Sequence, residues 1–481
     1  MEMSEFASGL SFEIIPEEVV DRVKLCLLDT IGCGVFGARD TRSKILTDVL
    51  RNIGGWNGGP ATVWHFGFKA SPADAALLNG SFVHSYDFDD QCQEVGVHAG
   101  ACVVPAALAI AEHMGGITGK EFLTSLVVGY ECAIRVGIAF GLSPLSDGWH
   151  IAGFNGTFGS TTAAGRLLGL DADQMMNAIG LGATQGAGLM SVQYGSDAKG
   201  MNCGKAAQSG VYASLLAQKG FKGIRNVIEL PYGGYVSTLS SSYDLQKITS
   251  DIGTKYMINE KLAFKKYPSV RWVHAPVEAA QRIMRQNSLR PLDIERVVVK
   301  VTSIGKEHVG WRYEPQGITS ALSNLPYGVA IMILEGNLSA IHFTDEWIQN
   351  PAVLKMTEKI VVQVDEALDK EEPFSMGATV DIITKDGNKY SECIDYPIGT
   401  PGKRPMSETE ILEKFRQLMG EGENANRILE CIENLEKVQD ARKLASLLHL
   451  DWVTMERRLL DLIGSRNLSE VRTILFALDG K

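Results

Sequence analysis

Residues 84–100 read HSYDFDDQCQEVGVHAG, three aspartates, one glutamate and two histidines in a short run. Carboxylates beside imidazoles suit proton transfer near neutral pH. His98 directly precedes the apolar run AGACVVPAALAIA, and His150, in SDGWHIAGFNGTFGS, also stands just ahead of a helical stretch. Both are expected at helix N-termini, where the positive end of the dipole favours anions and lowers an imidazole pKa. A structural loop histidine would look the same at either position. Lys199 in YGSDAKGMNCGKAA, Lys265 and Lys266 in AFKKYPSVRWVH, and Arg271 place cations beside expected loops. They could grip substrate carboxylates or simply face water. Asp87, Asp89 and Asp90 could hydrogen-bond an imidazole or be solvated. As metal ligands the aspartates offer only a mediocre hard-ion site, so no metal is expected.

Other catalytic devices do not fit. The sequence contains no G-x-S-x-G, H-E-x-x-H or EF-hand loop. GMNCGKAA ends like a phosphate loop but is one residue short between its glycines, and GLGATQG lies in a helical pattern with no preceding strand. Both read as packing glycines.

The elements that must position these residues are mainly helical. From Pro16 to about residue 265 apolar residues recur at helical spacings, with segments 72–86, 100–113, 119–140, 157–169, 172–190 and 204–219 as expected helices. Pro16 is expected at the first position of a helix whose first turn is acidic. Glycine and alanine are dense within these segments. Glycine costs a helix about 1 kcal/mol relative to alanine, so that density predicts close helix–helix packing. Near residue 290 the texture changes: IERVVVKVTSI is β-branched, and ATVDIITKDGNKYSECIDYP predicts a hairpin about Asp386-Gly387. Helices resume at Ser407, which has capping-box spacing to Glu410. The expected fold is mainly α with an α+β insert: a helical domain over 1–265 and 405–481, and an α+β lid over 266–404.

Composition excludes several functions. The 481 residues are 45% hydrophobic and 8% aromatic, enough for a large soluble core. With 46 basic against 57 acidic residues the net charge is −11, and no basic cluster suggests nucleic-acid binding. The most apolar window, FLTSLVVGYECAIRVGIAFGL, contains Glu131 and Arg135 and reads as a buried helix, so no membrane association is expected. The N-terminal stretch is acidic and does not read as a secretory signal. Eight cysteines without a C-x-x-C predict a reducing cytoplasm.

The ordered strings HSYDFDD…HAG, GWH with GTFGSTTAAGRLLGLDADQM, ATQGAGLMSVQYGSDAKGMNCGKAAQSG, FKKYPSVRWVHAPVEA and PQGITSALSNLPYGVAIMILEG resemble the MmgE/PrpD family over about residues 10–480. That family includes 2-methylcitrate dehydratase, cis-aconitate decarboxylase and iminodisuccinate epimerase. The resemblance implies a homodimer of helical bodies with α+β lids, a small di- or tricarboxylate substrate bound between the domains, and no organic cofactor or metal. By the same resemblance Asp87, His98, His150 and Tyr327 are catalytic, while Lys199 and Lys265 bind substrate. Lys266 and Arg271 are further candidate substrate-binding cations, and Gln91 is expected at the substrate, with Gln91, Val270 and Arg271 setting substrate choice. Two positions depart from the mammalian decarboxylase pattern: Gln91 replaces a threonine and Val270 a histidine. The framework resembles the fungal decarboxylase branch in particular. The expected activity is cofactor-free decarboxylation of cis-aconitate to itaconate, with methylcitrate-type dehydration or epimerisation of an iminodisuccinate-like diacid as alternatives. A non-catalytic acid-binding protein would not need the full set of aligned polar residues.

Overall fold

The computed structural model describes residues 1–54, 58–92, 94–371, 375–420 and 422–449. The final part of the expected C-terminal helical segment, 450–481, lies outside the described residues. Helix α1 (Glu17–Gly37) starts one residue later than expected, with Pro16 as its N-cap and Glu17 and Glu18 complementing the dipole in its first turn. Helices α2 (Pro72–Val83), α3 (Ala99–Met114), α4 (Gly119–Phe140), α5 (Ile151–Leu167) and α6 (Ala198–Gln218) then pack on one another. Their glycines serve helix–helix contact. A Cβ on Gly204 would lie 2.2 Å from the Leu77 carbonyl oxygen, and one on Gly80 would lie 2.8 Å from that of Ala101. Larger side chains would push α2 away from α3 and α6.

Helix α4 contains the apolar window, and 94% of its most apolar stretch is buried inside the protein. The two charges within the apolar window, Glu131 and Arg135, are paired: Arg135 Nε donates to Glu131 Oε2 at 3.0 Å. The guanidinium also donates to the Ser250 carbonyl at 2.8 Å and the Lys255 carbonyl at 2.7 Å, pinning an irregular segment to the helix.

The helical pattern breaks more often than the spacing predicts. The segment expected over 172–190 is helical only over Ala172–Ala183. Gly188 beyond it takes φ +141, outside the helical region, and only a single 3₁₀ turn, Met190–Tyr194, follows. From 219 to 256 the chain runs mainly through turns, with two short helices at Tyr235–Leu239 and Gln246–Thr249.

A second hydrophobic core gathers residues between Tyr267 and Ile394. Strand β1 (Ile294–Val301) is central, paired in parallel with β2 (Ile360–Val364) and antiparallel with β3 (Ala378–Thr384), and β3 pairs with β4 (Lys389–Ile394). The β3–β4 connection turns at Asp386-Gly387, where Gly387 takes φ +88. Helices α7 (His274–Gln286) and α8 (Leu325–Glu335) are the longest in this part of the chain, with α7 against β3, β4 and α8. The chain returns to the body in α9 (Glu408–Met419), which opens with the expected Ser407/Glu410 capping box and packs on α1. The first core therefore draws on both sides of the insert, from Met3 to Phe264 and from Met406 to Leu448.

Candidate active site

The acidic stretch is the floor of a cavity between the two cores. After α2 ends at Val83 the chain turns through Asp87 in the left-handed region, φ +48, which aspartate tolerates better than most residues. It then forms a short strand, Gln91–Cys92, paired with Leu262–Ala263, which brings Lys265 across from the far end of the body's first half. His98 is the N-cap of α3, and His150 is the N-cap of α5. The cavity is lined from the body by Asp87, Gln91, His98, His150 and Lys199, among others, and from the lid side by Val270, Trp272 and His308.

All three aspartates are buried rather than solvated, and each has a separate task. Asp87 pairs with Lys199 through Oδ2 and with Lys265 through Oδ1, and its carbonyl also accepts from Lys265 Nζ at 2.8 Å. Burial alone would raise its pKa, but the two ammonium groups outweigh that and hold the carboxyl well below its usual range. Asp89 bridges two imidazoles, His84 Nδ1 at 2.9 Å and His98 Nδ1 at 3.1 Å. Asp90 accepts from Gly100 N at 3.0 Å and Tyr130 Oη at 2.7 Å, satisfying a free N–H at the start of α3. Burial, with Asp29 nearby, pushes Asp90 up to about 7.

The imidazoles differ in charge. Burial would lower His84, but Asp89 outweighs it and pushes His84 up to about 10, so this ring is a cation at neutral pH. His98 is brought down to about 4 by burial, opposed by Asp89 and reinforced by His84 and Lys265. His150 is held well below its usual value by burial and by the charges of His84 and Lys199. Asn202 Nδ2 lies 3.0 Å from His150 Nδ1. With Asp87 and Asp89 negative and Lys199, Lys265 and His84 positive, these groups carry one net positive charge within an acidic protein. An ammonium has three donors, so Lys199, which lines the cavity, retains N–H groups for an anion even while bound to Asp87.

His84, Asp87, Asp89 and His98 bring donor atoms within 4.8 Å of one another. Asp87 is already neutralised by two ammonium groups and Asp89 by an imidazolium, so a divalent ion placed among them would meet three cations. The set fits an anion-receiving proton site better than a metal centre.

Four of the sequence-based site residues do not line this cavity: Lys265, which pairs with Asp87, and Tyr327, Arg271 and Lys266, which lie farther off. Tyr327 is buried in the lid core, where its hydroxyl donates to the His342 carbonyl and its ring packs on Tyr313, with centroids 4.9 Å apart. It does not line the cavity. Arg271 is fully buried but ties down the returning chain, donating to the Ile398 carbonyl at 2.6 Å and to Thr400 Oγ1 at 3.1 Å. Lys266 lines a different cleft, with Tyr267, Ser339 and Glu410. Gln91 and Val270, the two departures from the mammalian decarboxylase pattern, both face the cavity.

Sequence reasoning missed His84, Trp272 and His308. His84 lay in the acidic stretch, but only its pairing with Asp89 distinguishes it. His308, on the lid helix Ser303–Val309, packs edge-on to Trp272 with centroids 5.1 Å apart. Nothing in GKEHVGWRY signals that contact.

A family model described as the MmgE/PrpD N-terminal domain matches residues 1–246, and one described as the MmgE/PrpD C-terminal domain matches 267–437. The chain belongs to the MmgE/PrpD family. It is 29% identical to a cis-aconitate decarboxylase of Aspergillus terreus over 471 residues, covering 93% of this chain and 95% of that protein. It is 26% identical to the cis-aconitate decarboxylase of Homo sapiens over 459 residues, 92% of each chain. A 2-methylcitrate dehydratase of Salmonella typhimurium is 24% identical over 435 residues, 85% of this chain and 87% of that protein.

Proposed function

We propose that this protein is a carboxy-lyase that needs no cofactor and converts cis-aconitate to itaconate. The observation that carries the reading is the cavity itself: two imidazoles at helix starts and the ammonium of Lys199 line it beside Asp87, which also pairs with the buried Lys265, beneath an apolar lid wall of Val270 and Trp272. The relatives named above support the substrate class. Lys199 and Gln91 bind carboxylates of the substrate, and Asp87 keeps Lys199 and Lys265 charged and aligned. One substrate carboxylate leaves as carbon dioxide, its electron pair shifts through the allylic system, and the former alkene carbon receives a proton from the His98/His150 pair. Removing water from the site strengthens every charge interaction in it.

The cavity holds only about 40 Å³, room for roughly three waters, so a tricarboxylate enters by lid movement. Val270, Trp272 and His308 then close over it. We also propose that the enzyme works in the cytoplasm as a homodimer; its eight cysteines are all free, seven of them buried, which suits a reducing compartment.

The test is to incubate purified protein with cis-aconitate, citrate, 2-methylcitrate and iminodisuccinate while following carbon dioxide, alkene absorbance and solvent deuterium uptake. Carbon dioxide release from cis-aconitate is expected. Alkene formation from 2-methylcitrate without carbon dioxide would replace the lyase assignment with a dehydratase, and deuterium exchange without net conversion with an epimerase.

A further inference from the structure

We propose that Asp89 and Asn202 are positioning residues that give the two cavity imidazoles opposite roles, His98 as the proton carrier and His150 as a permanently neutral hydrogen-bond donor to the substrate. This division rests on the lyase reading above.

The argument starts from what each partner can offer. An ionised carboxylate only accepts hydrogen bonds. Asp89 takes His84 Nδ1 on one oxygen and His98 Nδ1 on the other, at 2.9 and 3.1 Å, so both rings present Nδ1–H to it. The proton that His98 can gain or lose is therefore on Nε2, whose other neighbour is Asp87 Oδ1 at 3.8 Å. Protonation there produces an imidazolium already backed by a carboxylate, the arrangement that makes the histidine of a serine-protease triad an effective proton carrier.

His150 has the reverse environment. The Asn202 Nδ2 group only donates, and it lies 3.0 Å from His150 Nδ1. Nδ1 thus accepts, and the ring proton sits on Nε2. Charging His150 would place an Nδ1–H against another N–H. A neutral imidazole held in this way still polarises a substrate oxygen through its remaining N–H.

Charged groups surround both rings. His98 faces Asp89, Asp87, His84 and Lys265. His150 faces His84, Lys199, His98 and Asp87, and His308 looks in from the lid near Lys199. The cations disfavour charging either ring in the free protein. A bound tricarboxylate reverses the balance, but only His98 has a carboxylate at Nδ1 to receive the change. In the reaction the carbon–carboxylate bond breaks, carbon dioxide leaves, the allylic pair forms a bond to the proton of His98 Nε2, and neutral His98 regains a proton from water.

Four variants and one spectrum test the division. Asp89→Asn is expected to lower kcat at least about 100-fold while KM changes little, and to move the ionisation in the kcat–pH profile to lower pH. Asn202→Asp is expected to raise KM at high pH, where His150 now carries its proton on Nδ1, with recovery as pH falls and Nε2 is protonated. In ¹⁵N-histidine spectra of the unsubstituted protein at neutral pH, His98 Nδ1 should be protonated and His150 Nδ1 should not; this readout stands even if a variant fails to fold. The opposite spectrum, or the KM effect in Asp89→Asn with the kcat effect in Asn202→Asp, would overturn the proposal. His98→Gln and His150→Gln separate the two levels. If both keep full turnover of cis-aconitate, neither ring moves the proton and the division of roles falls, whereas absence of carbon dioxide release by the unsubstituted protein would overturn the lyase reading itself. If they lose turnover while Asp89→Asn and Asn202→Asp keep the unsubstituted pH profiles, only the division of roles falls.

Discussion

Asp87→Asn removes one charge and almost no volume, and asparagine is as tolerant as aspartate of the left-handed backbone found there. Its effect should therefore be electrostatic. Lys199 and Lys265 are 5% and 0% exposed, and both lose their counter-ion. Removing one partner of a buried ion pair costs about 3–5 kcal/mol. That cost is limited because a buried lysine can shed its proton instead. Burial already lowers Lys265 below the ordinary lysine value, with Asp87 opposing that shift, and it should fall further in the variant. The folded state then binds fewer protons than the unfolded one, so folding of the variant gains stability as pH rises towards the unfolded lysine value. Urea unfolding at pH 6, 7.5 and 9 should show a deficit against the unsubstituted protein of about 3 kcal/mol or more at pH 6, shrinking by pH 9. A deficit below about 1 kcal/mol, or one that stays constant across this range, would refute the idea that Asp87 holds both lysines charged.

The remaining predictions are simpler. Tyr327→Phe should leave kcat/KM within about threefold and lower stability by about 1 kcal/mol for its lost hydrogen bond, measured by steady-state kinetics and thermal melts; a 100-fold loss of kcat would return Tyr327 to the site. Dialysis against EDTA should leave carbon dioxide release unchanged, since the carboxylates of the site already have organic counter-ions, and activity restored only by one divalent ion would contradict that. Cis-aconitate should slow proteolysis at residues 265–275 and 398–406, where the chain passes between body and lid, whereas its neutral triester should not; equal cleavage rates would argue against closure on the acid.

The parts of this site that could be read in the sequence were those set by local chemistry. His98 and His150 each precede an apolar helical run, and a helix start is decided within a few residues. The β1 strand and the Asp386-Gly387 turn were legible for the same reason. The pairing of Lys199 and Lys265 on Asp87 spans 112 and 178 residues and has no local signature. The roles of Asp89 and His84 were hidden in a similar way, because an aspartate that bridges two rings has the same neighbours in sequence as one facing water. Arg271 looked like an anion anchor, but the carbonyl groups of the returning chain at 397–398 take its donors. Tyr327 was placed by family resemblance alone. The Asn324 side chain caps its helix by accepting from Tyr327 N, fixing a register in which the phenol lies within the lid.

Lys414 on α9 has a consequence for how the protein is made. Its ammonium lies 2.6 Å from Asp29 of α1 and donates to the Phe88 carbonyl at 2.5 Å, next to Asp87 and Asp89 in the acidic stretch. Asp29 and Phe88 leave the ribosome hundreds of residues before Lys414 does. Until then, Asp29 has a burial cost without its cation, and the helical body cannot seal around it. The nascent chain should therefore keep its first helices loosely joined while the lid is synthesised, and the active-site floor should set last.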